Sequence, residues 1–287
     1  MQLKLRIMSQ LLTRLIHQFT QVVPPQEARA MARRLLQEPP LMLPSLQVFT
    51  AQEEDLPPEK REMLEQMVRR ILSGEPFQYV LGHEYFCGLC LEVGPGVLIP
   101  RPETQDLVEW VVSTLPKEKN ISLVDACTGS GCIAAALAAQ LPLAHVTGID
   151  LSPEALHYAR RNTQPYGERV QLLQQDVLHT SLEMRELDAL VSNPPYISEA
   201  ERPELDDRVK NQEPELALFV PQEDPLLFYR ALGQQGQQAL KNGGGLFVEI
   251  NQRFGPQTCA LFRSQGYRDV ELREDRFGNP RMVKAVK

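Results

Sequence analysis

The chain has 287 residues, enough for one large or two modest domains with their own cores, and an ordinary globular composition of 43% hydrophobic and 23% charged residues. Its net charge of −7 leaves no global basic field for gripping duplex DNA or long RNA, and no apolar run reaches the length of about 18 residues that spans a bilayer. Five cysteines, an odd number, point to free thiols in a reducing compartment and not to a disulfide framework.

In chain order, residues 1 to about 75 read as helices between proline stops. The segments are Leu5–Phe19, Gln26–Gln37 and Pro58–Ser73, punctuated at Pro24-Pro25, Pro39-Pro40 and Pro57-Pro58. Lys4, Arg6 and Arg14, with no acid before Phe19, carry the charge bias of a transit peptide. Leu5, Met8, Leu12, Leu15, Ile16 and Phe19 nevertheless follow helical spacing, so the segment reads as the first helix of a bundle and the expected location is cytoplasmic. Phe77 to Val97 alternates like strands around Gly94-Pro95-Gly96, a hairpin linker within residues 76–102. Cys87-Gly88-Leu89-Cys90 inside it is a C-x-x-C pattern. It has no second pair and only His83 nearby, so it reads as small buried side chains, and no metal is expected.

From Glu103 strands and helices alternate. Helices are expected at Glu103–Leu115, Cys132–Gln140, Pro153–Asn162, Pro225–Leu240 and Pro256–Ser264. Strands are expected at Ser122–Ala126, His145–Asp150, Val170–Leu173, Asp188–Ser192 and Gly245–Ile250, with a closing hairpin Asp269–Leu272 and Arg281–Val286. This rhythm makes residues 103–287 an α/β domain with a mostly parallel, Rossmann-like sheet, whose ligands bind at the carboxyl ends of the strands.

Two motifs stand at such ends. Leu123-Val124-Asp125-Ala126-Cys127-Thr128-Gly129-Ser130-Gly131 is a strand running into a small-residue loop, and the strand ending in Asp150 places an acid where a nucleotide-binding βαβ unit grips ribose hydroxyls. The loop also fits the G-x-G-x-x-A form of a nicotinamide dehydrogenase. Against that, the Asp125 carboxylate would repel a pyrophosphate and suits a ligand's ammonium group. The second motif, Asn193-Pro194-Pro195-Tyr196, holds an amide, proline carbonyls with no competing N–H, and an aromatic ring, which are the acceptors and surface that a planar NH2 group needs. Together the motifs favour S-adenosyl-L-methionine, which carries an amine, a carboxylate, a ribose and a sulfonium but no phosphate. An amino-directed methyltransferase on adenine or guanine, and a non-catalytic cofactor-binding scaffold, remain as other readings of the same residues.

The chain resembles the HemK/PrmC family of N5-glutamine methyltransferases that modify peptide chain release factors. The likeness rests on Gly74-Glu75-Pro76-Phe77-Gln78-Tyr79 with Gly82 and Phe86, on Val97-Leu98-Ile99-Pro100-Arg101-Pro102-Glu103-Thr104, and on Val191-Ser192-Asn193-Pro194-Pro195-Tyr196-Ile197. Glu213-Pro214 with Ala217-Leu218, and Phe247-Val248-Glu249-Ile250, match as well. Departures are Cys127 and Asn251 where glycine is usual, Gln105 in place of a glutamate, and Phe219 to Pro225 where a glycine-rich stretch is expected.

The resemblance implies a seven-stranded class I methyltransferase sheet behind a small helical substrate-docking domain (1–75), with S-adenosyl-L-methionine as cofactor and S-adenosyl-L-homocysteine as its product. The substrate it implies is the glutamine of the Gly-Gly-Gln tip in class 1 release factors, with no stable nucleic acid, no membrane and a monomeric enzyme. The expected catalytic residues are Asn193, Pro194 and Tyr196, with Pro195 completing the substrate loop. The Asn193 Oδ1 and the Pro194 carbonyl would accept the amide N–H groups, and the Tyr196 ring would pack on the glutamine. Asp125, Cys127, Thr128, Gly129, Ser130, Gly131, Asp150, Asp176, Val177 and Asn193 are the expected cofactor residues, Asp150 at the ribose and Asp176 with Val177 at the adenine. Arg101 and Glu103 are read equally as entrance residues or as a salt bridge.

Overall fold

Capping and proline chemistry set the helix starts in the amino-terminal part of the computed structural model, which describes residues 9–287. The Ser9 hydroxyl accepts the Leu12 N–H and donates to the Val48 carbonyl, so α1 (Gln10–Phe19) begins there. The earlier start at Leu5, with Lys4, Arg6 and Met8, lies outside the described residues. α2 (Pro25–Gln37), α3 (Ser45–Thr50) and α4 (Pro58–Leu72) follow; α2 and α4 carry a proline at a first-turn position, where its missing N–H costs nothing.

The alternation expected over Phe77 to Val97 divides in two. Phe77, Val80 and Leu81, spaced for one face of a helical turn, join the same core as Leu12, Phe19 and Leu35, and α5 (Phe77–Leu81) stops on Gly82 at φ 79. The hairpin proper, β1 (His83–Phe86) and β2 (Leu89–Glu92), turns at Cys87 and Gly88, both at positive φ, and not at Gly94-Pro95-Gly96. One unit of the chain runs to His83 and includes Asp207–Gln212; the other comprises Glu84–Asp206 and Glu213–Lys287. Residues 76–102 are therefore shared between the units, the helix belonging to the first and the hairpin from Glu84 to the second.

In the second unit α6 (Pro102–Thr114), β3 (Ile121–Ala126), α7 (Cys132–Gln140), β4 (Ala144–Asp150), α8 (Pro153–Thr163), β5 (Val170–Gln174) and β6 (Leu187–Ser192) follow in order. Then come β7 (Ile197–Ser198), α9 (Asp207–Gln212, in the first unit), α10 (Glu215–Leu218) and β8 (Phe219–Val220). α11 (Leu227–Ala239), β9 (Leu240–Glu249), α12 (Gly255–Ser264), β10 (Arg268–Glu274) and β11 (Pro280–Val286) complete the chain. Seven strands form one sheet in the order β10-β11-β9-β6-β3-β4-β5, parallel from β9 to β5, with β11 antiparallel to both its neighbours. Successive strand residues enter opposite cores: Leu123, Val146, Ala189 and Phe247 on one face, Val124, Ile149, Leu190 and Val248 on the other. Among the described residues, no helix is long and apolar enough to cross a membrane.

The register decides which residues meet. Ala126 pairs with Ile149 and with Ser192, and Ser192 pairs with Val248, so Cys127, Asp150, Asn193 and Glu249 leave the sheet side by side. β3 lies at the reversal of strand order, where open α/β sheets hold their ligands. A buried side chain, Asn162 of α8, fastens the hairpin to this edge: its Nδ2 donates to the Glu92 and Ser130 carbonyls, and its Oδ1 accepts the Glu92 N–H at 2.7 Å. Asn162→Ala leaves those buried groups without partners, and we expect a loss of about 2–3 kcal/mol. The check is a urea unfolding curve, in which the midpoint falls while the slope stays constant.

Candidate active site

The loop after β3 bends by left-handed backbone at three positions, Cys127 at φ 58, Gly129 at φ 55 and Gly131 at φ 78. At Gly131 a Cβ would lie 3.0 Å from the Ala159 Cα, so glycine also permits the close approach of α8. Cys127 adopts the same conformation with a side chain, a strain of about 1–2 kcal/mol for an L-residue. That is the physical reason a glycine is usual there. The Thr128 N–H donates to the Ile149 carbonyl and the Gly129 N–H to Asp150 Oδ2 at 2.8 Å, which closes the loop onto the end of β4.

A cavity opens over this edge. Cys127, Thr128, Gly129, Ser130, Asp150, Asn193 and Pro195 line it, together with Val97, Leu98, Pro100, Arg101, Thr104, Pro214, Leu216 and Ala217. Asp150 accepts the N–H groups of Gly129 and Ser152, one on each oxygen, and keeps lone pairs for a diol. Burial pushes its pKa above the ordinary carboxylate value, against the pull of those backbone donors.

Asp125 lies beneath the cavity and not in its wall. It is fully buried; its Oδ2 accepts the Thr128 hydroxyl and the Ala134 N–H, so it ties the loop to the first turn of α7. Its Oδ1 is buried with no partner in the protein. Asp176 and Val177 also stand away from the cavity wall. Val177 is in the core, and Asp176 holds His179 Nδ1 at 2.8 Å and the Leu178 N–H. Their loop nevertheless reaches the end of β4, because the Gln175 N–H donates to the Asp150 carbonyl.

The Asn-Pro-Pro-Tyr loop is anchored by a buried polar chain. Asn193 Nδ2 donates to Thr104 Oγ1 at 3.1 Å, and that hydroxyl donates to Glu249 Oε2 at 2.6 Å. The Tyr196 hydroxyl donates to the other oxygen, Glu249 Oε1, at 3.1 Å. The half-buried Tyr196 packs against the core that holds Tyr229 and Ile250 and is not among the residues that line the cavity. Pro194 and Pro195 are both buried, and of the two Pro195 lines the cavity. Asn193 Oδ1 is buried with no partner in the protein, a state that costs free energy unless a ligand donates to it.

Arg101 is ion-paired to Glu213. It lines the cavity while its Nη2 meets Glu213 Oε1 at 2.6 Å, and Glu213 Oε2 accepts the Ile99 N–H. Neither cysteine of the C-x-x-C pattern is in a disulfide. Cys87 packs against the sheet core, where burial pushes its thiol up to about 12, and Cys90 is exposed.

Comparison with known proteins matches residues 10–82 to the PrmC N-terminal domain and residues 107–210 to the Methyltransferase small domain. The release factor glutamine methyltransferase of Bacteroides thetaiotaomicron is 40% identical over 265 residues, 92% of this chain and 94% of its own. The enzymes of the same description from Flavobacterium psychrophilum and Streptococcus pneumoniae are 40% and 38% identical, over 77% and 82% of this chain and 78% and 84% of theirs. The chain belongs to the release factor glutamine methyltransferase family. Its cofactor is accordingly S-adenosyl-L-methionine.

Within this methyltransferase, Thr104 and Glu249 are the residues that sequence reasoning passed over. Both stood in matched motifs without a role; the available signal was an acid at the end of an otherwise apolar strand, Phe247-Val248-Glu249. Burial pushes the Glu249 carboxyl from 4.5 up to about 7, against the hydrogen bonds of Thr104 and Tyr196 and the charge of Arg281. A carboxyl raised in this way takes its proton more readily folded than unfolded. Its contribution to stability is complete below about 4.5 and is lost as the pH rises through about 7. Glu249→Gln cannot ionise, so its stability relative to wild type should improve between about pH 5 and 8. Urea midpoints at both values test this, and an unchanged difference would contradict it.

Proposed function

We infer that this protein transfers the methyl group of S-adenosyl-L-methionine to the side-chain amide nitrogen, N5, of the glutamine in the Gly-Gly-Gln motif of class 1 peptide chain release factors. The observation that carries the reading is Asn193, a cavity-lining residue whose buried Oδ1 has no partner in the protein, beside the strand ends that carry Asp150 and the small-residue loop.

The residues present fit the cofactor. Asp150 has lone pairs free for the ribose hydroxyls, and Thr128, Gly129 and Ser130 offer a small-residue cradle for the methionine end, braced from below by Asp125. Asp176 is assigned to the adenine amine, in exchange for its present bond to His179. The bound cofactor supplies an electrophilic methyl on a sulfonium and leaves as S-adenosyl-L-homocysteine.

An amide nitrogen is a weak nucleophile because its lone pair is delocalised into the carbonyl. Asn193 Oδ1 and the Pro194 carbonyl are assigned as acceptors of its two N–H groups, which orients the nitrogen without a base. Orientation of this kind supplies part of the roughly 7–11 kcal/mol available to ideal proximity. Transfer forms the N–CH3 bond, and one amide proton departs to water. Pro195 closes the wall over the substrate, while Tyr196 works from behind through Glu249.

The same reading takes the helical unit as the docking domain for the rest of the release factor. It also takes the enzyme as a cytoplasmic monomer with no nucleic-acid or membrane partner, in keeping with a net charge of −7. Asn193→Ala should abolish turnover while leaving S-adenosyl-L-homocysteine affinity largely unchanged, since the substrate amide loses its acceptor. Peptide mass spectrometry of a release factor after incubation reads the outcome: wild type adds the mass of one CH2 to the Gly-Gly-Gln peptide and the variant adds none. Turnover by Asn193→Ala near the wild-type rate would refute the assignment.

A further inference from the structure

We propose that Glu249, acting through Thr104, is a positioning residue for the transfer step: it fixes which end of the Asn193 amide faces the cavity. The proposal deepens the function inferred above and rests on it.

A carboxamide has a donor end and an acceptor end of nearly the same shape. A substrate NH2 group brings only donors, so a reversed Asn193 would set N–H against N–H and reject it. The orientation of this one amide therefore decides whether the substrate binds, and the amide itself has no preference. Thr104 supplies one. Its hydroxyl has a single proton, which goes to Glu249 Oε2 at 2.6 Å, so only lone pairs face Asn193 and only the NH2 end can bond there at 3.1 Å. An ionised carboxylate accepts and never donates, so the polarity of the chain runs one way, from Asn193 through Thr104 to Glu249.

The anchor is held on both sides. Tyr196 donates to Glu249 Oε1 at 3.1 Å, and Asn251 Nδ2 donates to the Tyr196 carbonyl at 3.2 Å, so the carboxylate cannot turn away from Thr104 without losing a buried partner. Thr104 and Glu249 are each 1% exposed, so bulk water does not compete for the bond between them. Protonation removes the constraint. A neutral Glu249 with its proton on Oε2 donates to Thr104, whose own proton is then free to point at Asn193 and hold the reversed amide. The groups that face Glu249 bias this choice: Arg281 of β11 favours the charged form, Glu103 of α6 opposes it, and the hydroxyls of Tyr196 and Tyr229 lie on the remaining sides. With burial added, the carboxyl titrates at about 7, within the working range of an enzyme.

The test measures kcat and KM on a release factor at saturating S-adenosyl-L-methionine, from about pH 5.5 to 9, for wild type, Thr104→Val, Thr104→Ser and Glu249→Gln. S-adenosyl-L-homocysteine titration serves as a separate readout of the cofactor site. Thr104→Val should lose about 10²-fold in kcat/KM with cofactor affinity nearly unchanged. Thr104→Ser, which keeps the hydroxyl, should recover most of that loss. Wild type and Thr104→Ser should lose activity as the pH falls through about 7, whereas the residual activity of Thr104→Val should not follow that ionisation. A Thr104→Val enzyme with wild-type kcat/KM, or with the wild-type acid limb, overturns the proposal. Should that variant fail to fold, the acid limb of Glu249→Gln decides: its disappearance supports the proposal and its persistence overturns it. A wild-type enzyme that leaves the release factor unmethylated would refute the inferred function itself and this proposal with it.

Discussion

Four neighbouring strands of the sheet end in step: Ile149, Ala126, Ser192 and Val248 share one row across β4, β3, β6 and β9. Strands lie about 4.8 Å apart, so the residues that follow them are held within a few strand widths of each other by backbone hydrogen bonds alone. A slip of one residue in β6 would turn Leu190 and Val191 onto the wrong faces, exchanging two packed cores. The hydrophobic pattern thus fixes the register, and the register brings Cys127, Asp150, Asn193 and Glu249 together. Everything the site does chemically depends on that row.

Behind the row, the protein carries two carboxyls that water cannot reach. Asp125 and Glu249 are both pushed up to about 7, chiefly by burial, with Thr128 and Ala134 opposing the shift at the first and Thr104 and Tyr196 at the second. Each costs stability in its charged form, and neither forms the cavity wall. Asp125 ties the cofactor loop to α7, and Glu249 ties the substrate loop to α6 and to Tyr196. Buried acceptors of this kind fix the direction of a hydrogen-bond chain, which a hydrophobic residue of the same size cannot do. Here the chain of donors starts at Asn193, whose Oδ1 has no partner in the protein.

The departures from the family pattern fall into two kinds. Cys127 sits at φ 58 in the cavity wall, where it differs from a glycine in both conformation and bulk. Asn251 has acquired bonds of its own: its Nδ2 reaches the Tyr196 carbonyl and Glu201, and its Oδ1 accepts the Arg253 N–H. There a side chain replaces a glycine and adds support to the loop that carries Tyr196.

The alternation of elements from Glu103 onward, the glycine loop, the acid at Asp150 and the Asn-Pro-Pro-Tyr strand end were all legible in the chain, because local periodicity and turn chemistry determine them. Several lengths were not. Phe77–Leu81 reads as a strand by alternation, yet Phe77, Val80 and Leu81 bury one helical face; only the presence of a core to receive them selects the helix. The roles of buried polar residues were hidden for the same reason. The chain does not show that the Thr128 hydroxyl and the Ala134 N–H both bond Asp125 Oδ2, or that Tyr196 gives its hydroxyl to Glu249, 53 residues away. Thr104 and Asn193 stand 89 residues apart and acquire a common function only when α6 crosses the end of β6. The sequence by itself determined which backbone elements form and which side chains end up at strand ends, since those follow from spacing and local conformation. Only the tertiary structure decided which of those side chains face the ligand and which hold the others in place, because a hydrogen-bond partner is chosen by proximity across the fold and not along the chain.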